Sequence, residues 1–134
     1  GYGQSKRFLI SNIINCILEK KEIQISDFNI SRDYIYIDDV LTAIFKSIYV
    51  KKKKVVLNIG SGKSFKIVEI IKIIEKFTKK KLIIKKTKKI RNPVQKTKAR
   101  ISSAKKYLNW EPKFSLKNGI KKIIEYEKKN CSFR

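Results

Sequence analysis

Amphipathic stretches with a helical period alternate with short β-prone runs along this chain, which restricts it to an α/β arrangement. Phe8 to Leu18 predicts a helix, with Phe8, Leu9, Ile13, Ile14, Ile17 and Leu18 on one broad face. Glu22 to Ile25 is a short strand candidate, and Arg32 to Ile37, rich in Tyr and Ile, a stronger one. Asp38 begins a helix striped by Val40, Leu41, Ile44, Phe45 and Ile48, and the lysines at 51–54 form a charged turn. Val55 to Ile59 has the continuous apolar character of a buried strand, and Gly60-Ser61-Gly62 turns the chain after it. Lys66 to Thr78 predicts a helix carrying Ile67, Ile70, Ile71, Ile74 and Phe77, and Leu82 to Ile84 a further strand. After an irregular segment around Arg91-Asn92-Pro93, Ser102 to Leu108 makes a short helix. Ser115 is a good N-cap for a last helix reaching about Lys129. No linker or internal repeat interrupts the series, so residues 1–134 are expected to form one small mixed α/β domain.

The chain has 134 residues, of which 42% are hydrophobic. A domain of this length buries roughly two-thirds of its unfolded surface, so a real core is attainable. No segment resembles a signal peptide, and no apolar run approaches the roughly 18 residues that span a bilayer. The expectation is a soluble, cytoplasmic protein. Cys16 and Cys131 lie far apart and outside any CxxC spacing, which gives neither a disulfide framework nor a zinc site. Cys16, inside an apolar helical stretch, reads as a small hydrophobe. There is no histidine, and with it goes the commonest general base and metal ligand. No metal is expected.

The net charge of +23 invites a nucleic-acid reading. Yet only Arg7, Arg32, Arg91, Arg100 and Arg134 are arginines, and the excess is lysine alongside abundant isoleucine. That pairing is what AT-rich coding DNA would generate. Base-reading proteins lean on arginine forks, and this chain has few.

Two motifs look chemical and fail on spacing. Gly60-Ser61-Gly62-Lys63-Ser64 resembles a phosphate loop, but the glycine required five positions before Gly62 is Leu57, inside a strand candidate. It reads as a tight turn between strand and helix. Tyr2-Gly3-Gln4-Ser5-Lys6 fits a YxxxK spacing, in which lysine one helical turn away lowers the tyrosine pKa. Arg32 follows Lys6 too soon for the extended enzymes that use that pair, so Tyr2 and Lys6 are read as a chance match. No catalytic residue is assigned.

The segment Arg32-Asp33-Tyr34-Ile35-Tyr36-Ile37-Asp38-Asp39-Val40 carries more weight. Strand alternation places Arg32, Tyr34 and Tyr36 on one side and Asp33, Ile35 and Ile37 on the other. Asp38 and Asp39 could pair for acid–base work, but the start of a helix suits them better as caps. Arg32, at a strand mouth beside aromatic rings, is suited to grip a phosphate with its planar fork.

These residues resemble the RDYIYVDDV segment of extended short-chain dehydrogenases that act on sugar nucleotides. Leu57-Asn58-Ile59-Gly60-Ser61-Gly62-Lys63 is similar to that family's YNIGSGK turn, and residues 104–113 to its AKKLLGWEPK stretch. Ser115, Leu116 and Gly119 match the start of its last helix, and Tyr2-Gly3-Gln4 its YGPGQ loop. The four pieces run in the family's order over nearly the whole chain.

The resemblance implies a small mixed α/β substrate-binding lobe without a complete Rossmann domain, the C-terminal part of an epimerase, 4,6-dehydratase or 4-reductase. The glycine-rich dinucleotide turn and the true catalytic residues would lie in an absent N-terminal half. The parent would use NAD or NADP, and the piece alone would bind neither and turn nothing over. Arg32 takes the place of the arginine that contacts the substrate diphosphate, and Arg91 is the best match to a second. Phe8 and Leu9 resemble a substrate-lining entry. The implied partners are a nucleoside-diphosphate sugar and the N-terminal Rossmann half, through which the parent could dimerise; neither membrane nor nucleic acid is implied. The sequence departs from the family at Arg100, where an acidic residue is common, at Asn109, where glycine is usual, and at Lys66, where Ser or Thr caps the helix. Arg100 therefore competes with Arg91 for the phosphate role. Trp110 is expected to pack the final helix onto the domain. The rival reading is a small lysine-rich nucleic-acid-binding module.

Overall fold

The computed structural model describes residues 1–51, 54–88 and 94–131. Among the described residues there are five helices, α1 (Leu9–Glu19), α2 (Ile37–Ser47), α3 (Ile67–Thr78), α4 (Ser102–Leu108) and α5 (Leu116–Cys131). Four short strands also occur among the described residues: β1 (Glu22–Ile25), β2 (Ser31–Arg32), β3 (Phe65–Lys66) and β4 (Ile83–Lys86). β1 pairs in parallel with β4, Ile23 opposite Ile84, while β2 pairs antiparallel with β3, Arg32 opposite Phe65. The fold is the expected small mixed α/β type.

The larger core forms where the apolar stripes of α1, α3 and α5 meet over β1. Ile13, Ile14 and Ile17 from α1, Ile70 and Ile74 from α3, and Ile120 from α5 are almost wholly removed from water. Burying one such side chain contributes about 1.5–3 kcal/mol, so this isoleucine cluster dominates the stability. Cys16 is buried there, its thiol directed at Asn12 Oδ1 and the Glu22 carbonyl. A smaller core joins α2 to α4 through Ala43, Ala104, Leu108 and Trp110.

Helix ends follow local chemistry. Glu69 Oε2 accepts the Lys66 N–H at 2.7 Å, so Lys66 serves as N-cap of α3 without an oxygen of its own. Ser115 Oγ accepts the Asn118 N–H at 3.1 Å, the expected cap of α5. Asn109 takes the left-handed conformation, φ 45°, that the family's glycine would occupy.

Three expectations need correction. The strand expected over 32–37 stops at Arg32, and Ile37 already opens α2. Residues 55–59 pair with no strand among the described residues; Val56 is 95% exposed, whereas Leu57 and Ile59 lean on the smaller core. Trp110 packs against α2 and α4 rather than tying down α5, its indole N–H donating to the Asp39 carbonyl at 3.1 Å and to Thr42 Oγ1 at 3.0 Å.

Glu19, at the end of α1, accepts from Lys21 at 2.6 Å and Lys6 at 3.2 Å. Those ammonium groups hold its carboxyl down to about 2. A depressed carboxylate stabilises the fold above its unfolded pKa, near 4.5, and the contribution is lost as pH falls toward 2. An NMR titration of Glu19 should find its midpoint near pH 2, moving up toward the ordinary range in the double variant Lys6→Ala, Lys21→Ala.

Candidate substrate-binding site

The loop after β2 is fixed by Asp33. Its Oδ1 accepts the Ser61 N–H at 2.8 Å and the Ser61 hydroxyl at 2.6 Å. Oδ2 accepts the Gly62 N–H and the Ala99 N–H, each at 3.0 Å. One carboxylate thus ties the β2 loop, the glycine turn and the strip leading into α4. Gly60 is required by this closeness: a Cβ there would run into the Ala99 Cβ and stand 3.0 Å from Asp33 Oδ2. The clasp also answers the phosphate-loop question. The N–H groups of Ser61 and Gly62 are committed to Asp33, so the turn has no free amides there with which to cradle a phosphate.

Arg32 stands beside this clasp, opposite Phe65 and half-buried, its Nη1 donating to the Ser31 carbonyl at 2.9 Å. Ser31 exchanges backbone hydrogen bonds with Gln95 and Thr97 at 2.8 and 3.0 Å, which draws residues 95–97 alongside Arg32. The remaining guanidinium N–H groups are available to an anion. Tyr34 and Tyr36 continue the segment. Burial pushes both phenols up from their ordinary value; the Arg32 charge partly offsets this at Tyr34, whereas Asp38 and Tyr2 add to it at Tyr36. Both are therefore neutral hydrogen-bonding groups at neutral pH, not bases. A pocket of about 320 Å³ lies against this segment, lined by Tyr34, Tyr36, Gln4, Phe114 and Ser115 among others. Tyr36 packs on Phe114 with ring centroids 4.7 Å apart, and its hydroxyl is buried without a hydrogen-bond partner. A neighbouring cavity of about 230 Å³ shares Phe114 and Ser115 and adds Lys63, Lys113 and Phe65.

The expected site residues are not all gathered here. Arg91 lies outside the described residues. Arg100 is exposed, one residue beyond the Asp33-anchored Ala99. Phe8 is exposed at the N-cap of α1, and Leu9 packs against the larger core. Tyr2 stacks on Tyr126 of α5 at 5.0 Å, while Lys6 reaches Glu19; residues 2–6 are not helical, so the pair lacks the turn that its chemistry needs. Asp38 and Asp39 occupy the first turn of α2 but neither caps it, because Tyr36 is the N-cap and no side chain bonds there. Asp39, 2% exposed, accepts instead from the Lys113 and Phe114 N–H groups at 2.8 and 3.0 Å. Sequence reasoning missed this role, that of Asp33, and the cations Lys63 and Lys113. The GSGK turn was the available signal for Lys63. No group of three or more potential metal ligands occurs among the described residues.

Residues 1–123 match the family described as GDP-mannose 4,6 dehydratase. The chain belongs to this family. It is one of the extended short-chain dehydrogenases that its motifs resemble, and it corresponds to their C-terminal part. A UDP-glucuronate 4-epimerase from Thermodesulfobacterium geofontis is 35% identical over 133 residues, 96% of this chain and 41% of the relative. The UDP-glucuronic acid 4-epimerase of Bacillus cereus, solved with UDP-glucuronic acid and NAD, superposes with a TM-score of 0.88 at 29% identity, covering 97% of this chain and 42% of that one. MoeE5, solved with UDP-glucose and NAD, shares the fold, with a TM-score of 0.91 at 24% identity over 98% of this chain and 44% of its own. The chain thus spans less than half the length of these family members. No helix among the described residues is long and apolar enough to cross a membrane.

The Bacillus cereus epimerase was solved with NAD, and the RMD structure from Pseudomonas aeruginosa with NADPH. The one glycine turn that follows the unpaired segment spends its Ser61 and Gly62 amides on Asp33. No step of a reaction is therefore assigned to this chain through either cofactor.

Proposed function

We propose that this chain is the substrate-binding part of an NAD(P)-dependent nucleotide-sugar epimerase, 4,6-dehydratase or 4-reductase, in which Arg32 grips the substrate diphosphate. The observation that carries the reading is the placement of Arg32: a half-buried guanidinium with free N–H groups, beside a loop immobilised by the Asp33 clasp. Charged hydrogen bonds contribute roughly 1.5–3 kcal/mol each. Arg32 and a second arginine, Arg91 or Arg100, would supply about half of the roughly 8 kcal/mol that a micromolar site needs. The Tyr34 phenol, neutral at pH 7, can hydrogen-bond a ligand, whereas the Tyr36 hydroxyl is buried. The piece alone holds a nucleoside diphosphate weakly, without turnover.

Calorimetric titration of the chain with UDP-glucuronic acid tests this. Millimolar binding is expected, weakened ten-fold or more by Arg32→Ala, with no response to NAD. Unchanged nucleotide affinity in Arg32→Ala, together with tight and steeply salt-dependent binding of duplex DNA, would transfer the protein to the nucleic-acid-binding class.

A further inference from the structure

The C-terminal end of α3 gathers positive charge without matching acid. Lys72, Lys76, Lys79, Lys80 and Lys81, all exposed, line a concavity of about 420 Å³ together with Glu75. Glu75 is already committed: its Oε2 accepts from Lys81 Nζ and its Oε1 from the Leu82 N–H, each at 3.1 Å. The other four lysines have no acidic partner among the described residues. β4 follows directly and adds Lys85 and Lys86, with Ile83 52% and Ile84 36% exposed between the two groups of lysines. From Lys72 to Lys88 the chain carries eight lysines and one acid, whereas residues 19–39 carry six acids and three cations. The charge is therefore gathered at one end of the fold, and coding bias, which acts along the whole chain, does not explain that placement.

We infer that this end of α3, with β4, docks on an anionic membrane surface, the lysines meeting lipid phosphates and Ile83 and Ile84 entering the headgroup layer. Each lysine held near such a surface strengthens binding roughly five-fold, and exposed aliphatic side chains add to it. Lysine ammonium groups are compact, hydrated point charges that suit a diffuse array of phosphates. A nucleic acid would ask for other side chains. No arginine occurs in residues 72–88, and their one aromatic ring, Phe77, is half-buried with Lys117 Nζ 6.0 Å from its centroid, so base reading and base stacking both lack a platform. The position leaves the substrate site open. α3 starts beside Phe65, which pairs opposite Arg32, and its 12 residues put the lysine end about 18 Å from that start. Membrane docking thus goes beyond the proposed substrate-binding role and does not depend on it.

Co-sedimentation of the chain with large vesicles tests this. Vesicles of equal parts phosphatidylcholine and phosphatidylglycerol should carry the chain into the pellet, and the bound fraction should fall as salt rises. Vesicles of phosphatidylcholine alone should leave it in solution. Lys72→Gln, Lys76→Gln and Lys80→Gln together should weaken binding by about a hundred-fold. Lys51→Gln, Lys54→Gln and Lys98→Gln, which remove the same charge from exposed positions elsewhere, should change it little. Both triple variants should keep the wild-type circular dichroism, since every substituted side chain is exposed. Ile83→Ser should weaken vesicle binding several-fold with its salt dependence unchanged, and Arg32→Ala should leave it intact while weakening UDP-glucuronic acid. No binding to the anionic vesicles, or equal loss in the two triple variants, would overturn the inference. Tighter binding of polyuridylate than of anionic vesicles at the same salt, lost in the Lys72, Lys76 and Lys80 variant, would also overturn it by giving the surface to RNA.

Discussion

Replacing Asp39 with alanine should destabilise the chain by roughly 2–4 kcal/mol, lowering the thermal midpoint by about ten degrees. The side chain is 2% exposed and is the acceptor for the N–H groups of Lys113 and Phe114, 74 and 75 residues away. Alanine removes both bonds and leaves two backbone donors in a site too closed for water to replace the carboxylate cheaply. The Asp39 main-chain carbonyl, which accepts from the Trp110 indole, survives the substitution, so the Trp110 end of the Trp110–Phe114 strip stays held while the Phe114 end is released. An asparagine side chain in its place would retain one carbonyl oxygen and turn an amide donor toward the other N–H. Asp39→Asn should therefore fall between wild type and alanine. Equal midpoints for wild type and Asp39→Ala in thermal unfolding followed by circular dichroism would show that these bonds carry little.

Asp39 also shows where the sequence was readable and where it was not. Helices α1, α3, α4 and α5 were legible because their apolar residues recur at the period that buries one face, and Ser115 marks a start that local chemistry decides. Residues 32–37 misled because Tyr and Ile favour strands on average, yet a strand exists only where a neighbour pairs with it. Beyond Arg32 no neighbour does, and the chain enters α2 with Asp38 and Asp39 in the first turn, where carboxylates suit the helix dipole. The apolar stripe of α2 was visible, but periodicity cannot say whether a stripe is covered by the same chain. At the site, Arg32 was singled out from its motif for the phosphate-gripping role proposed for it. The roles of Asp33 and Asp39 were not legible, since their partners lie from 28 to 75 residues away and leave no local trace. Tyr2 and Lys6 match a YxxxK spacing, were set aside because Arg32 follows so soon, and in the fold reach different partners, Tyr126 and Glu19.

The Asp33 clasp should be the second costly deletion, and the one that couples stability to ligand. Asp33→Ala removes acceptors for Ser61 N–H, Ser61 Oγ, Gly62 N–H and Ala99 N–H at once. Four charge-assisted bonds are lost, but the residue is half-buried and water can reach part of the vacated site. The expected destabilisation is accordingly about 2–4 kcal/mol rather than the sum of four separate losses. Its signature differs from that of Asp39→Ala. Amide exchange should quicken at Ser61, Gly62 and Ala99, while the larger isoleucine core stays protected below the unfolding transition. Arg32 sits next in the chain, so releasing Asp33 lets the guanidinium wander and charges the cost of re-ordering it to ligand binding. UDP-glucuronic acid affinity should therefore fall several-fold even at temperatures where the variant is fully folded. Affinity unchanged under those conditions, with the three amides deprotected, would mean that the clasp serves the fold alone and that Arg32 finds its orientation from β2 and β3.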